Sequence, residues 1–412
     1  MAWLSNRYSG LVPDKEQQEK WREQFAETDA LAGIETTENF ERFNQINNLF
    51  MRATWDPVVD TEDTQAFYES YRVAPTVRKG QGFSQQDFAL RDASWAVSRV
   101  ISNRAGDRGK REGFEAAIEP DNSLAPEKIA VEDPSAMSHE MKKICKLFGA
   151  DLVGITDFDE RWHYSQRVDT RDHTPTEPDL TPGMTHVIVL GHSMDYELVR
   201  TYPSALAGAS TGLEYSHETS IVIHIASYIR NLGYEAIASM NDTAMVIPYA
   251  LKAGLGEYGR NQLVITPEYG PRLRFSKIFT NLPMKIDEPR QLGIKQYCDI
   301  CTKCAENCPP QALPFDAPKE VTENDGGAIS TQRGVKKWSA NCEKCFGYWT
   351  KLRSDCAICM RVCPFNNEGK WLDKIFTKLA TSKWRKFALW LDGKRGVPER
   401  LKPNEWWQNF LK

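Results

Sequence analysis

The sequence predicts an α+β protein in two parts, a mixed body of helices and strands followed by a compact cysteine-rich module. Three observations predict it. Nine of the ten cysteines lie between residues 298 and 363. Residues 138–280 alternate amphipathic helical patterns with short β-rich runs. The 412 residues, 41% hydrophobic and 26% charged, suffice for a large core and more than one unit.

The cysteine module is the most specific feature. Cys298 to Pro309 reads C-D-I-C-T-K-C-A-E-N-C-P, the bacterial ferredoxin run for a [4Fe–4S] cluster. Three closely spaced thiolates can cap three corners of one cube, while Cys308 faces a second. A partner run follows, Cys356-Ala-Ile-Cys359-Met-Arg-Val-Cys363-Pro364, with Cys342 and Cys345 upstream. The expected sets are Cys298, Cys301, Cys304 with Cys363, and Cys356, Cys359, Cys308 with one of Cys342 or Cys345. A zinc ribbon or disulfides are the alternatives, but interlocked C-P runs suit two cubes better. Cys145, in K-K-I-C-K-L-F, is expected as a buried helix residue.

The formal net charge is −4, which leans against a nucleic-acid partner. No stretch approaches the ~18 apolar residues of a membrane-spanning helix. The opening M-A-W-L-S-N-R-Y shows neither an apolar signal core nor a twin-arginine motif. The expectation is a cytoplasmic protein or one from which an export signal has been removed.

In order along the chain, residues 14–28 predict a surface helix with Trp21 and Phe25 facing inward. Residues 41–57 set Phe43, Ile46, Phe50 and Met51 near one helical face before Pro57. A helix carrying Trp95 is expected over 88–101, then a loop or linker over 103–136. Residues 138–149 predict a helix with a serine cap and a glycine stop. Strands are expected at 150–156 and 186–191, separated by a Pro/Thr/Asp-rich loop at 165–184. A long helix over 213–232 leads to a strand at 234–239 and then Asn241. A helix over 246–252 ends in Gly254-Leu255-Gly256, whose glycines allow close backbone approach. Strands follow at 263–266 and 273–280. Residues 371–392 are aromatic and basic at helical spacing, and docking against the protein's own core is favoured over a membrane-protein partner.

Two clusters in series move electrons but break no bonds, so the large cysteine-poor body should hold a redox site. Its motifs are A-D-L-V-G-I (150–155), W-H-Y-S (162–165), Tyr215-Ser216, the Asn241 stretch and K-A-G-L-G-E-Y-G-R (252–260). I-T-P-E-Y-G-P-R-L-R-F-S-K-I-F-T-N (265–281) and K-C-F-G-Y-W (344–349) complete the set. Carrying these in order, the chain resembles the corrinoid-dependent reductive dehalogenases, above all those acting on small chlorinated aliphatics such as chloroform, chloroethanes or chloroethenes. The resemblance implies a nitroreductase-like corrinoid core followed by a ferredoxin-like domain with two [4Fe–4S] clusters. The implied divisions are 1–137, a region contributing to the substrate pocket; 138–290, the corrinoid core; 291–368, the cluster domain; and 369–412, an aromatic tail.

The same resemblance places a catalytic trio at Tyr215, Asn241 and Arg274. A phenol can protonate the carbon left when a carbon–halogen bond is cleaved, and a start-of-helix position would favour its phenolate. Arg274 would stabilise that phenolate, and Asn241 could orient the leaving halide. Phe50, Met51, Trp95 and Trp338 are the implied substrate pocket. Tyr164, Met240, Gly254 and Gly256 are the implied corrinoid contacts. Cys345 becomes the fourth ligand of the second cluster, leaving Cys342 a free thiol. No D-x-H-x-x-G occurs, so the cobamide is expected base-off and the seven histidines structural. The resemblance further implies a low-potential electron donor, a role in anaerobic respiration, and twin-arginine export to the outer face of the cytoplasmic membrane, with a small anchor protein there. Epoxyqueuosine reductase, which acts on tRNA, and a non-catalytic iron–sulfur carrier are the rival readings.

Overall fold

The structure, a computed structural model, describes residues 13–73, 80–177, 179 and 182–411. The opening residues and part of the 165–184 loop lie outside them. The body is built on a strand that both faces must cover. In His186–Ser193, Val187 and Val189 point to one side and Ile188 and Leu190 to the other, and all four are fully buried. Strands Leu152–Asp157, His186–Ser193, Leu273–Thr280 and Ala236–Ser239 lie side by side in that order, every pair antiparallel. The last strand in sequence thus occupies the centre and the third an edge.

Helices Pro134–Leu147 and Ala205–Asn231 cover one face, packing Met141, Cys145, Ile225 and Ile229 on Ile155, Ile188 and Ile278. Helices Lys15–Ala32 and Val246–Lys252 cover the other, where Trp21, Phe25, Tyr249 and Ala250 meet Val187, Val189, Phe275 and Phe279. The second layer is stapled by buried charge. Lys252 Nζ donates to Asp159 Oδ2 at 2.7 Å, while Arg161 grips Asp29 through both Nη atoms at 2.7 and 2.9 Å. Burial opposes the charge on Asp159, yet Arg161 and Lys252 hold its carboxyl below the ordinary value. The cysteine module follows as short helices, including Ile294–Cys298, Lys303–Glu306, Cys342–Leu352 and Ile358–Arg361. It abuts the body at Gly270, whose φ is +59°. A Cβ there would stand 2.2 Å from the Phe365 carbonyl oxygen, so only glycine fits.

Several elements differ from the sequence expectation. The long helix starts at Ala205, capped by Ser204, so Tyr215 sits in its third turn and the start-of-helix argument for its phenolate falls. The helix expected from Ser138 starts at Pro134 under an Asp133 cap, because proline is pre-set for a first turn. Trp95 is the joint between two helices, Gln85–Ser94 and Ala96–Asn103. Residues 43–51 form a 3₁₀ turn, Gln45–Asn47, and one helical turn, Leu49–Arg52, so Phe50 is exposed while Met51 is buried. Asn44 and Asn48 cap these short turns and prevent a single apolar face. The C-terminal run divides into Trp371–Ala380 and Arg385–Arg395, which dock Phe376, Ala380 and Ala388 against the protein's own core but leave most of the large rings in solvent.

Asp159→Ala should cost about 3–5 kcal/mol in denaturant unfolding, because Lys252 would then lose its nearest countercharge while wholly buried. A loss below about 1 kcal/mol would show that Asp29 alone satisfies both cations.

Candidate active site and cysteine centres

Tyr215, on the long helix, and Arg274, on the central strand, face each other because that helix lies across that strand. Asn241 joins them from the loop after the edge strand. Asn241 Nδ2 donates to Tyr215 Oη at 2.5 Å, and Arg274 Nη2 donates to Asn241 Oδ1 at 3.1 Å. The Arg274 guanidinium lies 3.4 Å from the centroid of the Tyr215 ring. Trp95 and Phe114 stack on that ring at 4.5 and 5.3 Å. Burial pushes the Tyr215 phenol above its ordinary value, and the neighbouring Arg274 only partly offsets it, so the hydroxyl stays protonated at neutral pH.

Sequence reasoning missed Glu218. Its carboxylate, fully buried one turn beyond Tyr215, accepts from Arg274 Nε at 3.2 Å, and its Oε2 has no partner. Burial raises its pKa and Arg274 works against that rise. The helical spacing Tyr215-x-x-Glu218 was the available signal, since residues three apart share a face. Lys277, buried beneath, reaches the Met240 carbonyl, and burial pulls its ammonium down to about 8.

The other candidates divide. Trp95 lies on Tyr215, with its Nε1 buried and unpartnered. Tyr71 packs on Trp95, Phe67 on Tyr71, and Phe346 on Phe67, an aromatic seam that ends at Phe50. Met51 packs instead with Ile46 and Val168. Trp338 is buried among Ile265, Cys298 and Cys363, with Arg260 over its ring. The four therefore do not form one box. Tyr164 donates to the Asn241 carbonyl at 3.1 Å and lines a cavity of about 230 Å³, beside Arg42, His163 and Thr243. His163 there is neutral through burial, and its Nδ1 lacks a partner. Met240 turns its side chain into the core, where Thr219 Oγ1 approaches its sulfur at 3.3 Å. Gly254 and Gly256 serve the protein's own backbone. A Cβ at either would stand 2.5 Å from the carbonyl oxygen of Glu288 or of Ile265.

The cysteines form two groups. Cys298, Cys301, Cys304 and Cys363 line one pocket with Asn261 and Ile265. Burial raises the Cys363 thiol far above its ordinary value, and the other three thiols add to the rise. In the second group burial lifts Cys356 to about 12, with Cys345 and Cys308 contributing. Cys359 feels Cys356, Cys345 and Cys308 in the same way. Cys342 instead points its sulfur at the Gly327 carbonyl, 3.6 Å away. Among the described residues, no three His, Cys, Asp or Glu side chains converge as ligands of one ion would; a cube holds its thiolates apart at its corners. Arg260, 3% exposed, was read only as the end of a motif. Its guanidinium collects the carbonyls of Cys298, Cys301, Pro314, Phe315 and Asp316 at 2.8–3.1 Å.

The architecture is that of solved reductive dehalogenases. A structure described for its bearing on B12-dependent dehalogenation superposes with a TM-score of 0.65 at 22% identity, covering 86% of this chain and 46% of that one. The tetrachloroethene reductive dehalogenase of Dehalobacter restrictus is 33% identical over 324 residues, 68% of this chain and 58% of its own length. The enzyme of the same name from Sulfurospirillum multivorans is 32% identical over 265 residues, 58% of this chain and 52% of its own. An epoxyqueuosine reductase from Lactococcus garvieae is 31% identical over only 157 residues, 32% of this chain and 38% of its own. No family model matches. The chain is a homologue of the reductive dehalogenases, as its motifs imply, and spans little more than half the length of the curated relatives it matches.

Glu214, next to Tyr215, tests the electrostatics of this face. Burial, with Asp151 and Glu218 nearby, pushes its carboxyl up to about 8. A raised carboxyl contributes stability at low pH that is lost as pH climbs toward the folded value. Glu214→Gln lacks that loss, so its melting temperature relative to the parent should rise between pH 5 and pH 9. A pH-independent difference would show that Glu214 ionises normally.

Proposed function

We propose that this chain forms the corrinoid- and iron–sulfur-dependent part of a reductive dehalogenase that replaces chlorine by hydrogen on a small chlorinated hydrocarbon. The observation that carries the reading is the joined Tyr215–Asn241–Arg274 group under the Trp95 ring. The sheet-and-helix body is read as a nitroreductase-like corrinoid core, and the cysteine module as a ferredoxin-like domain. A base-off corrinoid bound beside Tyr164 and Asn241 would supply the reductive cleavage of the carbon–halogen bond. The orphaned Trp95 Nε1 and His163 Nδ1 fit a site that accepts a further group.

The chain's own residues then handle the proton. Tyr215, kept neutral by burial, holds a proton at Oη inside an apolar stack. When that proton passes to carbon, Arg274 lies against the ring that becomes negative, and Asn241 Nδ2 already donates to its oxygen. Glu218 holds Arg274 in place and balances its charge before the transfer. Trp95 and Phe114 keep water from the ring. Electrons reach the body through the two cysteine groups, from a low-potential donor. We further propose an anaerobic respiratory role at the outer face of the cytoplasmic membrane after twin-arginine export, with a small anchor protein and no nucleic-acid partner. Identity and reach together favour an organohalide over tRNA: 33% over 324 residues for a dehalogenase, against 31% over 157 and 23% over 274 for two epoxyqueuosine reductases.

Tyr215→Phe should keep cobalt and iron contents but lose ~10²–10⁴-fold in turnover of chlorinated methanes, ethanes or ethenes with a viologen donor. Full activity would remove Tyr215 from the reaction, and protein that takes up iron but no cobalt would overturn the corrinoid. Cys345→Ser should lower iron content while Cys342→Ser leaves it unchanged. The reverse would exchange the two assignments.

A further inference from the structure

Two neighbouring helices near the end of the chain expose far more aromatic surface than a soluble face needs. Trp371 is 69%, Trp384 58% and Trp390 56% exposed, with Ile375 and Phe387 open beside them. The inner sides explain the orientation. Phe376 and Ala380 of the first helix and Ala388 of the second pack into one cluster with Tyr297, Cys298 and Cys301. Both helices rest on the same ground, so both outer faces look away from it. On the first, Trp371, Lys374, Ile375 and Lys378 share one stripe; on the second, Trp384, Phe387 and Lys394 do. Lys303 pins the second helix to the cysteine loop through Asp392 at 2.5 Å.

Charge says what such a face meets. Residues 370–395 carry eight Lys and Arg against two Asp, a net of +6, while the whole chain carries −4, leaving −10 elsewhere. One of the two aspartates, Asp392, is the buried partner of Lys303. The cations sit beside the rings, Lys394 at 5.9 Å from Trp390 and Lys383 at 6.0 Å from Trp384. Six of the eight are lysines, the residue that protein interfaces deplete. Lysine stems that lie along apolar surface with their heads outward, around tryptophans, match the boundary of an anionic bilayer.

We infer that Trp371–Ala380 and Arg385–Arg395 form a peripheral docking face for an anionic phospholipid surface, the rings entering the headgroup region and the lysines meeting the phosphates. This stands independently of the dehalogenase reading. No helix among the described residues is long and apolar enough to cross a membrane, and this face needs none.

The test is flotation of the purified, cofactor-loaded protein with two vesicle types, phosphatidylcholine alone and phosphatidylcholine with one quarter phosphatidylglycerol. The protein should float with the second, not the first, and release as salt rises. Lys374→Glu, Lys378→Glu and Lys386→Glu together should weaken binding at least ~100-fold. Trp384→Ser with Trp390→Ser should weaken it and reduce a lipid-induced blue shift of tryptophan fluorescence, Trp371 supplying the remainder. Iron content and melting temperature of each variant should match the parent, excluding misfolding. Absence of flotation, equal flotation with both vesicles, or binding untouched by these substitutions would overturn the proposal. So would binding that requires an integral membrane protein in the vesicle, which would make the face a protein-docking surface.

Discussion

The site depends on one cation held where it has few alternatives. Arg274 stands on the central strand, opposite His192 in register, and reaches up between two helical residues and a loop amide. Its three interactions differ in kind: an ion pair to Glu218, a hydrogen bond to Asn241, and contact with the face of Tyr215. A lysine could meet one of these geometries but not all three, because only a planar guanidinium presents donors along its edge and a flat surface to a ring. Removing Glu218 would leave that cation short of its countercharge in a largely buried setting, the costly way to break an ion pair.

Arg260 plays the complementary part in the cysteine module. It has no carboxylate partner among its contacts and is surrounded by carbonyl oxygens from the segments that flank Cys298, Cys301 and residues 314–316. A positive charge satisfied by dipoles alone remains electrostatically active toward its neighbours. Placed beside the buried sulfurs, it favours the thiolate forms of Cys298, Cys301 and Cys304, against the burial that raises them. Arg260 closes the K-A-G-L-G-E-Y-G-R motif whose glycines serve backbone packing, so the motif's value is structural. It delivers one guanidinium to the base of the cysteine loop.

Much of this was legible in the chain, for identifiable reasons. The strand read at 186–191 stands out as an apolar run and the one at 273–280 by its alternation, and both form, as does the helix over 246–252 ahead of its glycines. The cysteine groups follow from covalent spacing, which tertiary context hardly alters. What escaped depended on partners distant in sequence. Phe50 and Met51 read as one face until asparagine caps divided the segment. Gly254 and Gly256 read as cofactor glycines until the carbonyls of Glu288 and Ile265 showed what they accommodate. The start of the long helix was hidden because Ala205–Gly212 is small and unpatterned; it packs closely against helix Gln85–Ser94. The Gly212 position, where a Cβ would meet Ser94 Oγ at 2.0 Å, records how close those helices approach.

Among the links between the body and the cysteine module, one runs through the central strand. Its approach turn contains Gly270, pressed against the Phe365 carbonyl two residues beyond Cys363. Arg272 then donates to the carbonyls of Met194 and Asn367, one on each side of the junction. Arg274 follows two residues later. An extended chain advances about 3.3 Å per residue, so the turn that touches the cysteine segment and the cation that holds Tyr215 are only about 13 Å apart along the backbone. One short stretch of chain joins the two. Under the proposed function, a centre that receives electrons at one end and releases a proton at the other would gain from such a link. The antiparallel neighbours on both sides of this strand provide it.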